Sequence, residues 1–262
     1  MRILVTNDDG ITAKGLWALA KELQGAGTVT VVAPDREQSG VGTSVTLHHP
    51  LRLREIKSLV KGVNAFSVEG TPADSVILAL NRVMSEGVDL VVSGINEGPN
   101  LSNDVFISGT VAAALQGYFY GIPAIAISLN AFGDLHFDVA ARLARLLANG
   151  INDKALPQKL LLNVNLPNVP PEEIEGIEIT KLGERRYADN IEPGHDGKRQ
   201  YYWIVRGKPV WNVSPKSDIG ALKQKRISIT PLLNNSANPI RSSLKNLIPG
   251  LFQELSKDSI TQ

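Results

Sequence analysis

Short apolar runs alternate with amphipathic helical patterns over the first two-thirds of the chain, and this alternation restricts the fold more than any other feature. Arg2–Thr6, Thr28–Ala33 and Val88–Ser93 are nearly continuous apolar runs of strand length. Between the first two, Leu16–Leu23 carries apolar residues at helical spacing. Strands of this kind, separated by such helices, are typical of a parallel sheet that is covered on both faces. The sequence therefore predicts a doubly wound α/β core with a mainly parallel sheet.

The same pattern predicts the remaining elements of the core. One helix opens at Thr71, an N-cap residue that is followed by Pro72 in the first turn and by Asp74 near the positive helix end. Two more helices are expected over 108–119 and Phe137–Leu147, and further strands at Phe66–Glu69, Ile122–Leu129 and Leu160–Asn165.

The pattern changes near residue 180. Ile177–Leu182 and Gln200–Arg206 alternate like exposed antiparallel strands, and Arg226–Thr230 resembles a last strand. The final stretch is polar and is predicted to be either a loose tail or an oligomer contact. We divide the chain into a Rossmann-like core, an extended arm with a returning strand, and a C-terminal tail, with the bounds 1–182, 183–232 and 233–262.

Composition excludes several classes of protein. The 262 residues carry a net charge of +1, which gives no reason to expect a nucleic acid polymer or a membrane surface as a partner. No apolar run reaches the roughly 18 residues of a membrane helix, and the N-terminus lacks the pattern of a signal peptide. The absence of cysteine excludes disulfides, thiolate metal sites and cysteine nucleophiles. We therefore expect a cytoplasmic protein.

Polar residues follow each of the first strands of the core. In open parallel sheets, ligands bind beyond the carboxyl ends of the strands, so these residues are expected to meet at one rim. In chain order the loops supply Asp8 and Asp9, Ser39, Gly70 and Thr71, and Asn96 and Asn100.

Asp8 and Asp9 are the most informative of these residues. An acid pair at this point either caps the helix that is expected near Thr12 or binds a hard divalent cation, since carboxylates suit Mg²⁺ or Mn²⁺. On the same rim, Ser39 and Asn96 are either turn formers or the third and fourth ligands of one such ion.

Two further features suit a phosphate group. Asn100 is either a loop residue or a donor to a phosphate oxygen. Ser108, Gly109 and Thr110 begin a helix, where free N–H groups and the helix dipole favour an anion, although simple capping explains the same residues.

Six motifs in order resemble those of the SurE family of survival-protein nucleotidases: "ILVTNDDG", "VVAPDREQSG", "VEGTPADSV", "VVSGINEGPNL", "SGTVAAALQG" and "SITPL". The resemblance implies a Rossmann-like core and an arm that is exchanged in a homodimer or homotetramer. It also implies one divalent metal ion on Asp8, Asp9, Ser39 and Asn96, with Asn100 and the 108–110 turn near the phosphate. The chain departs from the family pattern at Ser102, Ile107, Ala112 and Ser217.

The function that we expect is metal-dependent hydrolysis of nucleoside 5′-monophosphates, with 3′-monophosphates left open. Asp8, Asp9 and Asn100 are the expected catalytic residues; the substrate-binding residues are Ser108, Gly109, Thr110, Gly70 and Thr71. Attack by water and transient phosphorylation of an aspartate both remain open. The alternatives are hydrolysis of short polyphosphate and a sensor that binds nucleotide or metal without catalysis.

Overall fold

The computed structural model describes residues 1–130, 135–187, 189–207, 210–233 and 239–257. Its strands are β1 Arg2–Thr6, β2 Thr28–Pro34, β3 Leu53–Glu55, β4 Asn64–Val68, β5 Leu90–Glu97, β6 Ala124–Asn130, β7 Leu161–Pro167, β8 Gly176–Ile179, β9 Glu184–Arg186, β10 Asp189–His195, β11 Gln200–Arg206, β12 Val210–Asn212 and β13 Arg226–Pro231. Its α-helices are α1 Lys14–Leu23, α2 Pro72–Leu78, α3 Gly109–Phe119, α4 Phe137–Asn152, α5 Asp218–Lys223 and α6 Pro239–Lys257.

The central sheet confirms the predicted fold class. Over the described residues it has nine strands in the order β3-β4-β2-β1-β5-β6-β7-β13-β8. The six strands from β4 to β7 are all parallel to their neighbours. They lie in the order 3-2-1-4-5-6 when they are counted along the chain, which is the Rossmann order. The strand order therefore reverses between β1 and β5.

Helices cover both faces of this sheet. Helices α1, α4 and α6 enclose one apolar core with the sheet, in which Leu16, Leu143 and Leu244 are fully buried. Helices α2 and α3 enclose the other, with Val76 and Ala114 inside. Helix α2 begins at Thr71 with the predicted cap. None of the described helices combines the length and the apolar character that crossing a membrane requires.

Two strands near the sheet edges differ from the sequence prediction. The segment that was expected to be antiparallel at Ile177–Leu182 forms β8, which runs parallel to β13. Alternation identifies a half-exposed strand, but it does not give the direction of a partner that lies 50 residues later in the chain. Leu53–Glu55 was not predicted as a strand, because three residues are too few for a periodic pattern.

The arm contains two small antiparallel ribbons. Strand β9 pairs with β12 next to the core, and β10 pairs with β11 beyond it. Tyr202, Trp203 and Ile204 of β11 are 60–72% exposed. The chain then returns through α5 and adds β13 to the central sheet between β7 and β8.

Helix α6 packs on the core instead of forming the loose tail that was one of the two expectations. Its buried residues recur at helical spacing, and they contact the face of the sheet that α4 covers. They are Ile240, Leu244, Leu251 and Leu255. The C-terminal segment is therefore part of the folded unit over its described residues.

We expect Leu244→Ala to lower the melting temperature by about 5–10 °C, because it opens a cavity at a site with no solvent exposure. Calorimetry on the full chain measures this change. The matched control is Lys245→Ala on the exposed side of α6, which is expected to alter the melting temperature by no more than about 2 °C. Equal melting temperatures for the two variants would show that α6 does not pack as described.

Candidate functional site

The site lies where the strand order reverses, at the carboxyl ends of the neighbouring strands β1 and β5. Asp8 and Asp9 follow β1 after one intervening residue, Asn7. The register between β5 and β6 shifts between Ser93 and Asn96. Such a bulge re-aims the side chains that follow it, and here it precedes Asn96 and Glu97. The two strand ends thus place polar groups on both sides of one crevice.

The carboxylate of Asp8 lies against the first turn of helix α3. Thr110 Oγ1 donates to Asp8 Oδ1, and Asp8 itself is 4% exposed. The backbone N–H groups of Gly109 and Thr110 lie near this carboxylate and lower its pKa. Burial nevertheless raises the pKa of Asp8, since desolvation outweighs these hydrogen bonds. The anion that the start of α3 faces is therefore the carboxylate of Asp8.

Asp9 is held less firmly than Asp8. It accepts one hydrogen bond from the Glu97 N–H, at 3.4 Å. Burial and the neighbouring charge of Asp8 raise the pKa of Asp9 to about 7, with smaller contributions from Glu97 and Glu37. Four acidic groups thus concentrate negative charge at one end of the crevice.

Neither acid caps the first helix. Helix α1 has Ala13 as its N-cap residue, with no side-chain hydrogen bond at that position. The capping explanation for the acid pair is therefore wrong, and the pair needs another reason to lie beyond the end of β1.

The crevice holds a cavity of about 350 Å³, which is within the usual range of ligand pockets. Ser39 Oγ donates to Glu37 Oε1 at 2.8 Å, and Asn96 Nδ2 donates to the Gly98 carbonyl at 2.7 Å. Five of the residues that the sequence singled out line this cavity: Asp8, Ser39, Asn96, Asn100 and Ser108.

The other predicted site residues lie nearby but outside the lining. Gly109 and Thr110 lie behind Asp8, and Asp9 lies beside Glu97. Gly70 and Thr71 open helix α2, where the Thr71 hydroxyl and the Asp74 carboxylate form a reciprocal capping box. Among the described residues, neither Gly70 nor Thr71 contributes to the cavity wall.

Asn100 is fixed by a buried amide network that the sequence did not reveal. The backbone N–H of Asn100 donates to Asn165 Oδ1, and its carbonyl accepts from the amide groups of Asn163 and Asn165. Its side-chain Nδ2 donates to Ser128 Oγ at 2.9 Å. Asn163 and Asn165 alternate with apolar residues in β7, and two amides on one face of a buried strand were the available signal.

Three further residues that line the cavity had no predicted role. Glu97 follows Asn96, and Asp104 lies in the short 3₁₀ helix Ser102–Phe106 that precedes α3. Tyr187 comes from the arm, and its hydroxyl donates to Asp104. No local pattern places Tyr187 here, because the contact spans 83 residues of chain.

The donor set suits a hard divalent cation. The structure groups no three histidine, aspartate or glutamate side chains around a metal position, as far as its described ranges extend. Instead, two adjacent carboxylates are accompanied by neutral oxygens of serine and asparagine, which is the ligand type that Mg²⁺ and Mn²⁺ prefer. The raised pKa values show that the surroundings disfavour the negatively charged forms of both acids. A bound cation would stabilise these forms.

These features define a Rossmann-like α/β protein whose site is acidic and oxygen-lined and lies at the topological switch point. A sequence model of the survival protein SurE family matches residues 3–189. The chain therefore belongs to the SurE family, as its motifs predicted.

Named relatives support this assignment. The chain is 47% identical to the 5′-nucleotidase SurE of Dehalococcoides mccartyi strain CBDB1, over 88% of each chain. It is 48% identical to the 5′-nucleotidase SurE of Geobacter sulfurreducens, over 88% of this chain and 87% of that one. The crystal structure of the SurE protein from Aquifex aeolicus superposes with a TM-score of 0.75 at 37% identity, covering 94% of this chain and 99% of the other.

The acid pair predicts how stability depends on pH without metal. The folded-state pKa of Asp9, about 7, lies above its ordinary value of 3.8, so the native state loses stability as pH rises between these values. Asp9→Asn removes this penalty. We expect the variant to melt about 5 °C higher than wild type at pH 8 in EDTA and at the same temperature at pH 4.

Scanning calorimetry at both pH values measures this effect. Asp153→Asn changes an exposed aspartate at the end of α4 and serves as the control, with no pH-dependent gain expected. A lower melting temperature for Asp9→Asn at pH 8 would contradict the unfavourable burial of Asp9.

Proposed function

We propose that this protein is a metal-dependent phosphomonoesterase that hydrolyses nucleoside 5′-monophosphates to nucleoside and phosphate, with activity on 3′-monophosphates left open. Two relatives at 47–48% identity carry the name 5′-nucleotidase, which supports the reaction class. The observation that carries the proposal is the acid pair at the switch point, a buried Asp8 and a partly buried Asp9, beside a cavity with polar walls.

In this proposal Asp8, Asp9, Ser39 and Asn96 hold one divalent cation, either Mg²⁺ or Mn²⁺. When bound, the cation supplies positive charge to phosphate oxygens and makes water more acidic. Asp8 is suited to a fixed ligand, because Thr110 and the first turn of α3 determine its orientation. Its burial also limits the number of water molecules that compete for the carboxylate oxygens.

Asp9 is the acid that we assign to proton transfer. Its single hydrogen bond is long, so its carboxylate is freer to exchange a proton than that of Asp8. The pKa of about 7 belongs to the metal-free protein, and a bound cation favours the carboxylate form, which is the form that accepts a proton. Attack by water and attack by an aspartate oxygen both remain open in this scheme.

Asn100 and Ser108 form the phosphate side of the proposed site. The amide nitrogen of Asn100 has two hydrogens, and Ser128 accepts one of them, which leaves the other for a phosphate oxygen. Ser108 caps α3, and both residues line the cavity. Gly109 and Thr110 contribute the dipole of α3 and the fixed position of Asp8.

Gly70 and Thr71 receive a supporting role. They begin α2, whose Pro72 lies next to Gly109. The capping box at Thr71 fixes the start of α2, and α2 in turn holds the start of α3 in place. In this proposal Gly70 and Thr71 therefore influence the substrate through the contact between Pro72 and Gly109.

We expect Asp8→Asn and Asp9→Asn each to lower phosphate release from AMP more than about a hundredfold, since losing even a partner of a metal ligand costs about 10- to 100-fold. Phosphate release is measured with Mg²⁺, Mn²⁺ or EDTA across the nucleoside monophosphates. Asp153→Asn controls for loss of a carboxylate elsewhere. Wild-type turnover in either site variant would exclude these acids as metal ligands.

Two alternative functions give different results in the same assay. A polyphosphatase would release phosphate from short polyphosphate in preference to AMP. A sensor would bind AMP or metal tightly and release no phosphate at any metal concentration.

We also propose that residues 183–232 form an extended arm and a returning strand, attached to a catalytic core of residues 1–182, and that the arm is used in a homodimer or homotetramer. The support is the β10–β11 hairpin, which exposes an unusual number of large apolar side chains. They are Ile191, Tyr201, Tyr202, Trp203 and Ile204.

Ile204→Lys is expected to shift the protein towards the monomer, because it introduces a charge into this apolar surface. Sedimentation velocity over a range of protein concentrations measures the shift. Gln200→Lys adds the same charge at a polar position of the same strand and should leave the assembly intact. A monomeric wild-type protein would disprove the role of the arm.

A further inference from the structure

The wall of the cavity contains one aromatic ring among the described residues, and this ring belongs to the arm. Tyr187 follows β9 and is partly buried. It lines the same cavity as Asp8, Asn96 and Ser108, which form the end that we assign to metal and phosphate. The cavity therefore has an acidic, polar part and an aromatic surface that the proposed phosphate chemistry does not use.

The ring of Tyr187 is held on two sides. Its hydroxyl donates to Asp104, and the guanidinium of Arg185 donates to the other oxygen of the same carboxylate. The guanidinium carbon of Arg185 lies 4.3 Å from the ring centroid, within the range of a cation–π contact. Arg185 is absent from the described lining, so it supports the ring from outside the cavity.

The segment that carries the ring is itself tied to the rim of the site. Asp218 accepts hydrogen bonds from the N–H groups of Ser102 and Gly183, both at 2.8 Å. Ser102 Oγ donates to the Gly183 carbonyl, also at 2.8 Å. These bonds join the start of the arm to the 3₁₀ helix before α3. The ring position is therefore fixed before any ligand binds, which lowers the entropy cost of binding.

We propose that Tyr187 is a stacking platform for the base of the nucleotide substrate, with Arg185 and Asp104 as the residues that position it. Because the Tyr187 hydroxyl is bound to Asp104, Tyr187 contributes its aromatic ring to the cavity wall and not a free phenol. A planar aromatic ligand matches this ring, whereas a phosphate or a sugar does not. This inference rests on the proposed function and specifies the part of the substrate that the chain recognises besides phosphate.

The test compares two substrates that share a sugar phosphate, AMP and ribose 5-phosphate, in the full-length metal-loaded protein. Tyr187→Leu keeps an apolar side chain but removes the ring. We expect it to raise KM for AMP about tenfold, the size of one lost stacking contact, with kcat unchanged. KM and kcat for ribose 5-phosphate should stay at their wild-type values.

Two control variants separate stacking from other roles. Tyr187→Phe keeps the ring and loses the hydroxyl, so KM for AMP is expected to stay within about threefold of wild type. Phe119→Leu removes an exposed ring at the far end of α3 and should change KM for neither substrate. An unchanged KM for AMP in Tyr187→Leu would overturn the inference. An equal rise in KM for AMP and for ribose 5-phosphate would also overturn the inference, because the ring would then support the phosphate site alone.

A binding measurement distinguishes this inference from the proposed function. If the wild-type protein releases phosphate from neither substrate, the proposed function fails, and calorimetric titration with AMP decides the inference. Weaker AMP binding by Tyr187→Leu than by wild type would support the stacking role. Equal binding by the two proteins, or no binding by wild type, would overturn it.

Discussion

The contact between Asp8 and the first turn of α3 determines where the rest of the site lies. Burying a carboxylate costs free energy unless hydrogen bonds and a favourable dipole compensate for it. Asp8 receives both from Gly109 and Thr110, while the end of β1 fixes its backbone. Gly109 makes this approach possible, since a Cβ there would lie 2.7 Å from the Cβ of Asp8. A side chain at 109 would separate helix and acid.

The second acid makes the arrangement unfavourable by itself. Asp9 adds a like charge next to Asp8, and its pKa is raised to about 7, which shows that the fold does not stabilise two negative charges at this point. Such an energetic penalty at the switch point of a doubly wound sheet is typical of a functional site. The neutral oxygens of Ser39 and Asn96 provide the remaining donors that a hard cation needs.

Sequence patterns predicted the parts of the molecule that depend on local structure. The six parallel strands follow from their apolar runs. Asp8, Ser39, Asn96 and Asn100 follow from the rule that strand ends meet at one rim, and Ser108 follows from the start of a helix. The direction of β8 could not be predicted, since its partner β13 arrives after the arm. Tyr187 escaped prediction for the same reason. Both depend on a return of the chain that no short pattern encodes.

The same return of the chain connects the arm to the chemistry of the site. Asp218 precedes β13 in sequence, yet its carboxylate bonds to the rim at Ser102 and to the start of the arm at Gly183. Asp104, two residues after Ser102, makes a second connection between rim and arm, because its carboxylate accepts hydrogen bonds from Arg185 and Tyr187. Two buried carboxylates thus bind arm and rim together, so a displacement of the arm would also move the cavity wall. An arm that bound a second copy of the chain would for this reason influence the shape of the site as well as the assembly.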